Sequence, residues 1–234
     1  MEFARPLTRA TLNRRYKRFF ADVTLEGGEE ITAHCPNPGA MLGVCAPGAT
    51  VWLSRSDSLT RKLAHTLELV EADGGLVGVN TMLPNRLTEE ALRAGVIAEL
   101  TGYETIRREV RYGQASRVDF VLDHPDLPSC YLEVKNVTVM RTPGLAEFPD
   151  CVSLRASSHV RELEAMVQSG YRAAVLFVVQ RTDCSAFSVA ADMDVKFAQA
   201  LASALEAGVE VVCYGCEMTT RGIALSEKLD WRAP

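Results

Sequence analysis

Residues 117–139 read RVDFVLDHPDLPSCYLEVKNVTV, two apolar strands around a turn built on His124-Pro-Asp-Leu-Pro-Ser. On the second strand Glu133 and Lys135 stand two residues apart, so both project from one face, while Val134 between them faces the opposite layer. A hairpin symmetric about its turn sets Asp119 opposite position 134. A one-residue offset, which a six-residue turn permits, sets it beside Glu133 or Lys135. Three charged groups then meet among apolar neighbours, which is costly unless they are paired or hold a metal. Two carboxylates, Asp119 and Glu133, with the backbone carbonyl of Val134, make an oxygen donor set for a hard divalent cation, Mg²⁺ or Mn²⁺. A lysine beside them orients an attacking water or helps deprotonate it. Metal and water together suffice to cut a phosphodiester, so no Ser or Cys nucleophile is needed. The competing reading of a lone E-x-K is an exposed strand face with alternating charge.

Working outward, the text from Thr88 onward is α/β. Thr88 is placed to cap a helix that carries Glu89 and Glu90 in its first turn and ends at Gly102. Leu92, Val96 and Leu100 make an apolar stripe on that helix. Glu99 falls on the same side, where it snorkels at the rim or joins the carboxylate cluster as a fourth catalytic group. Strands are expected at 104–112, 116–123 and 130–137, a helix at 158–169, a strand at 172–180, a helix at 195–207 and a strand at 209–214. That order, α-β-β-β-α-β-α-β, describes a mixed sheet with helices on its faces. Up to Pro84 the grammar is β. Short apolar runs at 19–25, 50–53, 65–70 and 76–79 are separated by Gly, Pro and Asp clusters, as in a small OB-like barrel. The junction near Leu83–Leu87 divides the chain into residues 1–84 and 85–234.

The chain has 234 residues, 47% hydrophobic and 24% charged, the make-up of a globular protein with a real core. No apolar run is long enough to cross a bilayer, and the N-terminus lacks a signal-peptide pattern, so a cytoplasmic location is expected. The seven cysteines are scattered through apolar text, which suits reduced, buried thiols; Cys213 and Cys216 have C-x-x-C spacing but no second ligand pair. Net charge is −5, which excludes a uniformly basic nucleic-acid binder. Locally, however, Arg14, Arg15, Lys17 and Arg18 form a basic strip able to hold phosphate, with Tyr16 and Phe19 available for stacking. A charge-protected strand edge is the bland alternative. Asn37 and Gly39, in the turn-rich Pro36-Asn-Pro-Gly segment, are further candidates to present amides to phosphate, and a purely structural turn explains the same text equally well. His159, in the first turn of its helix, reads as a surface imidazole, with a capping or phosphate contact as the alternative.

The order helix-acid, strand-Asp, strand-Glu-x-Lys resembles the PD-(D/E)xK nuclease superfamily. Over essentially its full length the chain resembles the bacterial sugar fermentation stimulation protein A family. The segments that carry this are Arg15-Tyr-Lys-Arg-Phe-Phe-Ala-Asp-Val, His34-Cys-Pro-Asn-Pro-Gly-Ala-Met, Tyr112-Gly with Ser116-Arg-Val-Asp-Phe, Glu133-Val-Lys-Asn-Val-Thr and Phe148-Pro-Asp. The resemblance implies an N-terminal OB-like domain and a C-terminal restriction-endonuclease-like domain. It implies DNA binding without strong sequence preference and a role in sugar catabolism such as maltose use. It carries Asp119, Glu133 and Lys135 onto the superfamily's acidic and basic positions, with Glu99 as the helix acid. Val118 departs from the proline of the superfamily name, and Ala156 and Ser158 from the Gly and Lys usual before the histidine. The expectation is a DNA-binding protein with divalent-metal-dependent phosphodiester hydrolysis. The alternative is a non-catalytic DNA-binding regulator of sugar catabolism. Self-association into a homodimer stays open.

Overall fold

A computed structural model describes residues 1–58, 60–113 and 116–233. The first domain follows from strands whose alternate residues are apolar. They are β1 (Thr8–Tyr16), β2 (Phe20–Leu25), β3 (Glu30–His34), β4 (Thr50–Arg55) and β5 (His65–Ala72). β1 pairs with β2 and β4, β2 with β3, β4 with β5, and β3 closes on β5 through His34 and Thr66. The result is a closed five-stranded OB-like barrel filled by Leu12, Val23, Ala33, Leu53 and Leu67. Closure removes the strand edges that would otherwise seek partners. β1 and β3 were not expected from the sequence. β1 is hidden there because only Ala10 and Leu12 of its nine residues are buried, and the basic strip occupies its other face and end.

β6 (Gly75–Gly78) extends the β5 hairpin to the second domain. That domain contains α1 (Pro84–Arg93), β7 (Thr105–Tyr112), β8 (Ser116–His124), β9 (Leu127–Val137), β10 (Val139–Thr142), β11 (Leu145–Phe148) and α2 (Leu154–Gln168). It continues with β12 (Arg172–Val179), β13 (Ala186–Val189), α3 (Val195–Ala207), β14 (Glu210–Thr219), β15 (Gly222–Lys228) and β16 (Asp230–Arg232). A mixed sheet runs β15-β14-β12-β9-β8-β7, and a smaller one runs β10-β11-β13-β16. α2 and α3 pack their Val160, Leu163, Phe197 and Leu201 on one face of the large sheet. α1 packs Leu87 and Ala91 on the other, against Phe120, Leu132 and Val134. No helix among the described residues is long and apolar enough to cross a membrane. Cys213 and Cys216 are buried free thiols.

The α1 region departs from expectation. The helix starts at Pro84, whose ring suits a first turn where an N–H partner is missing anyway, and Thr88 is buried mid-helix rather than capping it. The helix stops at Arg93 because Gly95 turns into the left-handed region (φ 69°). Only a 3-10 turn, Ala98–Leu100, follows, so the stripe through Val96 does not exist, and Val96 is exposed.

The domains are joined by backbone hydrogen bonds: Gly78 N–H donates to the Gln180 carbonyl (2.9 Å) and Thr182 N–H to the Leu76 carbonyl (3.2 Å). Glu2 bridges to Gly222, so the first residues lie on the second domain although the barrel follows them in the chain. The turns at Pro36–Gly39 and Phe148–Asp150, from different domains, also meet, and Met41 N–H donates to Asp150 Oδ2 (3.3 Å). A Cβ on Gly39 would sit 2.3 Å from that same oxygen. Gly39→Ala displaces the Asp150 carboxylate, the free end of a side chain, from the Met41 N–H, and is expected to lower unfolding stability by about 0.5–1.5 kcal/mol, the worth of that hydrogen bond. Urea titration measures it, and an unchanged midpoint would show that the two turns can part freely.

Candidate active site

The β8–β9 hairpin closes through only two turn residues, Pro125 and Asp126, tighter than the six-residue turn expected. A register irregularity between Leu122 and His124 then sets Phe120 opposite Leu132. The ladder ends there: Asp119 pairs with neither Glu133 nor Glu109, and the alternation of β8 breaks between Val118, on the α2 side, and Phe120, on the α1 side. Asp119 lies beyond the last β8–β9 pair, and its Oδ2 accepts the Val134 N–H (2.8 Å). Lys135 Nζ donates to Glu133 Oε1 (2.8 Å). Phe120, Leu132 and Val134 anchor this segment in the core on the α1 side, which forces the charged alternates to the α2 side.

Two helices complete the cluster. From α1, Asn85 Nδ2 donates to Asp119 Oδ1 (2.7 Å). From α2, His159 Nδ1 is hydrogen-bonded to Glu133 Oε1, and its Nε2 accepts from Arg155 Nε (3.3 Å). The Arg155 contact assigns the imidazole proton to Nδ1, which donates to the carboxylate. The expectation of a surface imidazole is thus corrected. α2 begins at Leu154, capped by Ser153, so His159 falls in its second turn on the side facing the sheet and is buried.

The two carboxylates have unlike environments. Burial pushes the Asp119 carboxyl above the usual range and the Glu133 charge adds to this, against the Val134 N–H, Asn85 and Lys135. Burial also pushes Glu133 up, but the His159 hydrogen bond and the Lys135 charge outweigh it and hold that carboxyl below its ordinary value. Glu133 Oε2 is buried without any hydrogen-bond partner, a costly state for a carboxylate oxygen.

Above these groups opens a cleft of about 470 Å³, lined by Glu109, Arg117, Asp119, Arg155, Ser158 and His159. Among the described residues no three His, Cys, Asp or Glu side chains are arranged as a metal cluster. Two hard carboxylates and backbone oxygen, with water filling the rest, are nevertheless a normal set for Mg²⁺, which retains several waters. The unpartnered Glu133 Oε2 fits such a cation.

Residues 14–79 match the family description "SfsA N-terminal OB domain", and residues 82–222 match "Sugar fermentation stimulation protein RE domain". The chain belongs to the sugar fermentation stimulation protein (SfsA) family. It is 55% identical to a sugar fermentation stimulation protein homolog of Caulobacter vibrioides, over 99% of this chain and 97% of that one. Identity to the homolog of Rhodospirillum centenum is 54%, over 98% of each. The solved structure of Pyrococcus furiosus SfsA in complex with Ca²⁺ superposes with a TM-score of 0.88 at 28% identity, covering 99% of this chain and 98% of that one.

In this SfsA-family chain Glu99 does not join the cluster. It accepts from Tyr214 Oη (2.9 Å) and pairs with Lys228 (2.6 Å), and Tyr214 belongs to the apolar layer on the other face of the sheet. Asn85 stands where a helix acid was expected, and it left no signal in the sequence. The basic strip divides in two. Arg15 donates to the Asn37 and Gly39 carbonyls (2.7 and 2.9 Å), and the buried Asn37 side chain bonds the Val79 carbonyl and Gly39 N–H. Both are therefore internal supports of the turn rather than open phosphate ligands. Arg14 pairs with Asp22 (2.8 Å) beside the Tyr16 ring. Lys17 and Arg18 are exposed in the β1–β2 turn with positive φ, next to the exposed Phe19.

Proposed function

We propose that this SfsA-family chain binds DNA and hydrolyses its phosphodiester bonds with a divalent cation, Mg²⁺ or Mn²⁺, held by Asp119, Glu133 and the Val134 carbonyl. The observation that carries this reading is the buried Glu133 Oε2 without a hydrogen-bond partner, next to Asp119 and His159, which line an open polar cleft. The Ca²⁺ bound by the Pyrococcus relative supports a hard, oxygen-liganded ion in this family. When bound, the cation supplies Lewis-acid activation and charge neutralisation at phosphate.

The chain's own groups do the rest. His159 and Lys135 keep Glu133 ionised from its Oε1 side, leaving Oε2 for a ligand. Asn85 and the Val134 N–H fix the rotation of Asp119. Lys135, only 11% exposed, places an ammonium where it orients the attacking water and the phosphate oxygen. Residues 1–84 act as the nucleic-acid-holding unit, with Arg14, Lys17, Arg18 and Phe19 on its surface. Residues 85–234 carry the hydrolytic site.

The purified protein should cleave some DNA form (single strand, duplex or junction) with Mg²⁺ or Mn²⁺ and not with EDTA. Failure on every form with either metal overturns hydrolysis. Asn85→Ala, which frees Asp119 to rotate, is expected to weaken Mn²⁺ affinity about 10–100-fold, as other losses of an outer-shell hydrogen bond do. Calorimetric titration reads this, and an unaltered affinity would separate Asn85 from the metal.

A further inference from the structure

β7 and β8 are paired so that Arg111 stands directly opposite Arg117. Directly opposed residues project from the same face about 4.5–5.5 Å apart at Cβ, where like charges destabilise the sheet. Both arginines are exposed, and among the described residues neither has an acidic partner. Their neighbours differ: Arg107 pairs with Asp123 (2.6 Å) and Arg108 with Glu89 (2.7 Å). Structural arginines on this strand are thus given acids, and this opposed pair is not. Glu109 lines the adjoining cleft but pairs with neither.

Position adds a second argument. The alternation of β8 breaks between Val118, packed on the α2 side, and Phe120, packed on the α1 side, so it is the cleft that relates Arg117 to Asp119. Both line the same cleft, into which Arg155 also opens. The cleft lining places Arg117 beside the carboxylate proposed to hold the metal, and the β-ladder sets Arg111 against Arg117, both without an acidic partner among the described residues. Guanidinium forks are suited to bidentate phosphate contact.

We propose that Arg111 and Arg117 form a clamp for a backbone phosphate of the nucleic acid, adjoining the phosphodiester at Asp119. The clamp rests on the proposed nucleic-acid reading and adds to it where the strand runs: along the β7–β8 hairpin into the cleft, towards Arg155 on α2. A bound phosphate offsets the repulsion that the empty pair carries.

The test is fluorescence anisotropy of a labelled DNA oligonucleotide, titrated in EDTA at several salt concentrations with the full chain. Arg111→Ala and Arg117→Ala should each weaken binding about 3–10-fold at low salt and reduce the slope of log K against log salt by about 0.7–0.9, one counterion per lost phosphate contact. Arg232→Ala, at a paired surface arginine remote in the chain, should leave the slope alone. Thermal stability of Arg117→Ala should hold or rise, because a like-charge pair is relieved. An unchanged salt slope, or a melting temperature several degrees lower, would overturn the clamp and make the pair structural. A wild type that does not bind DNA overturns both the clamp and the functional reading. If Arg111→Ala and Arg117→Ala lose slope while the wild type never cleaves, the clamp stands and hydrolysis falls.

Discussion

Glutamine at position 133 is expected to lower metal-dependent cleavage by at least about 10³-fold, because several kcal/mol of transition-state stabilisation come from the metal and each 1.36 kcal/mol is tenfold in rate. The substitution is close to isosteric. Its Oε1 still accepts from Lys135 and His159, and its amide replaces an oxygen that has no partner to lose. What disappears is the negative charge and the hard donor. With that charge gone, the second influence raising Asp119 after burial is also removed, so Asp119 should ionise at lower pH. Cleavage assays on Glu133→Gln and Glu99→Gln together make the result specific. Glu99 is engaged with Lys228 and Tyr214 on the far face of the sheet, so its variant should cleave like the wild type. The reverse pattern, activity lost with Glu99 and kept with Glu133, would refute the site.

The second large effect concerns the domain junction. Arg181 is among the largest fully buried side chains, with 1% of its side chain exposed. It donates to Asp183 (2.7 Å), to Asp73 in the β5–β6 turn of the barrel domain (3.0 Å) and to the Thr138 carbonyl (3.0 Å). Methionine keeps much of the volume and removes every donor. Breaking a buried pair by deleting one partner costs about 3–5 kcal/mol, and the low end, about 3 kcal/mol, applies here because Asp73 can turn to water. Denaturant unfolding of Arg181→Met measures this. A loss below about 1 kcal/mol would mean that the backbone bonds of β6 to Gln180–Thr182 hold the domains without the arginine.

The parts of this protein legible in its sequence are those specified by neighbours in the chain. Helix α3 is read to the residue, Val195–Ala207, because Asp194 caps Phe197 N–H and Gly208 takes the left-handed conformation that ends it. Glu133 and Lys135 share a face by strand alternation alone. Strands β1, β3, β10, β11, β13, β15 and β16 left weaker marks, being short, half-polar or set on a second sheet whose pairing, the β10–β11 hairpin aside, is non-local.

The hairpin at 117–139 therefore determined which groups lie near one another: two carboxylates, a lysine and a backbone carbonyl, gathered by alternation and a turn. Only the tertiary structure decided which groups surround them. The β8–β9 ladder ends at Phe120 and Leu132, and beyond it Asp119 reaches the Val134 N–H. Early termination of α1 at Gly95 separates Glu99 from the cluster and leaves Asn85 at Asp119. The start of α2 at Leu154 turns His159 inward onto Glu133. The physical reason is the same in each case. Propensity and alternation act over a few residues, whereas side-chain partnership across a sheet depends on register and helix phase, and a shift of one residue in either exchanges the partners.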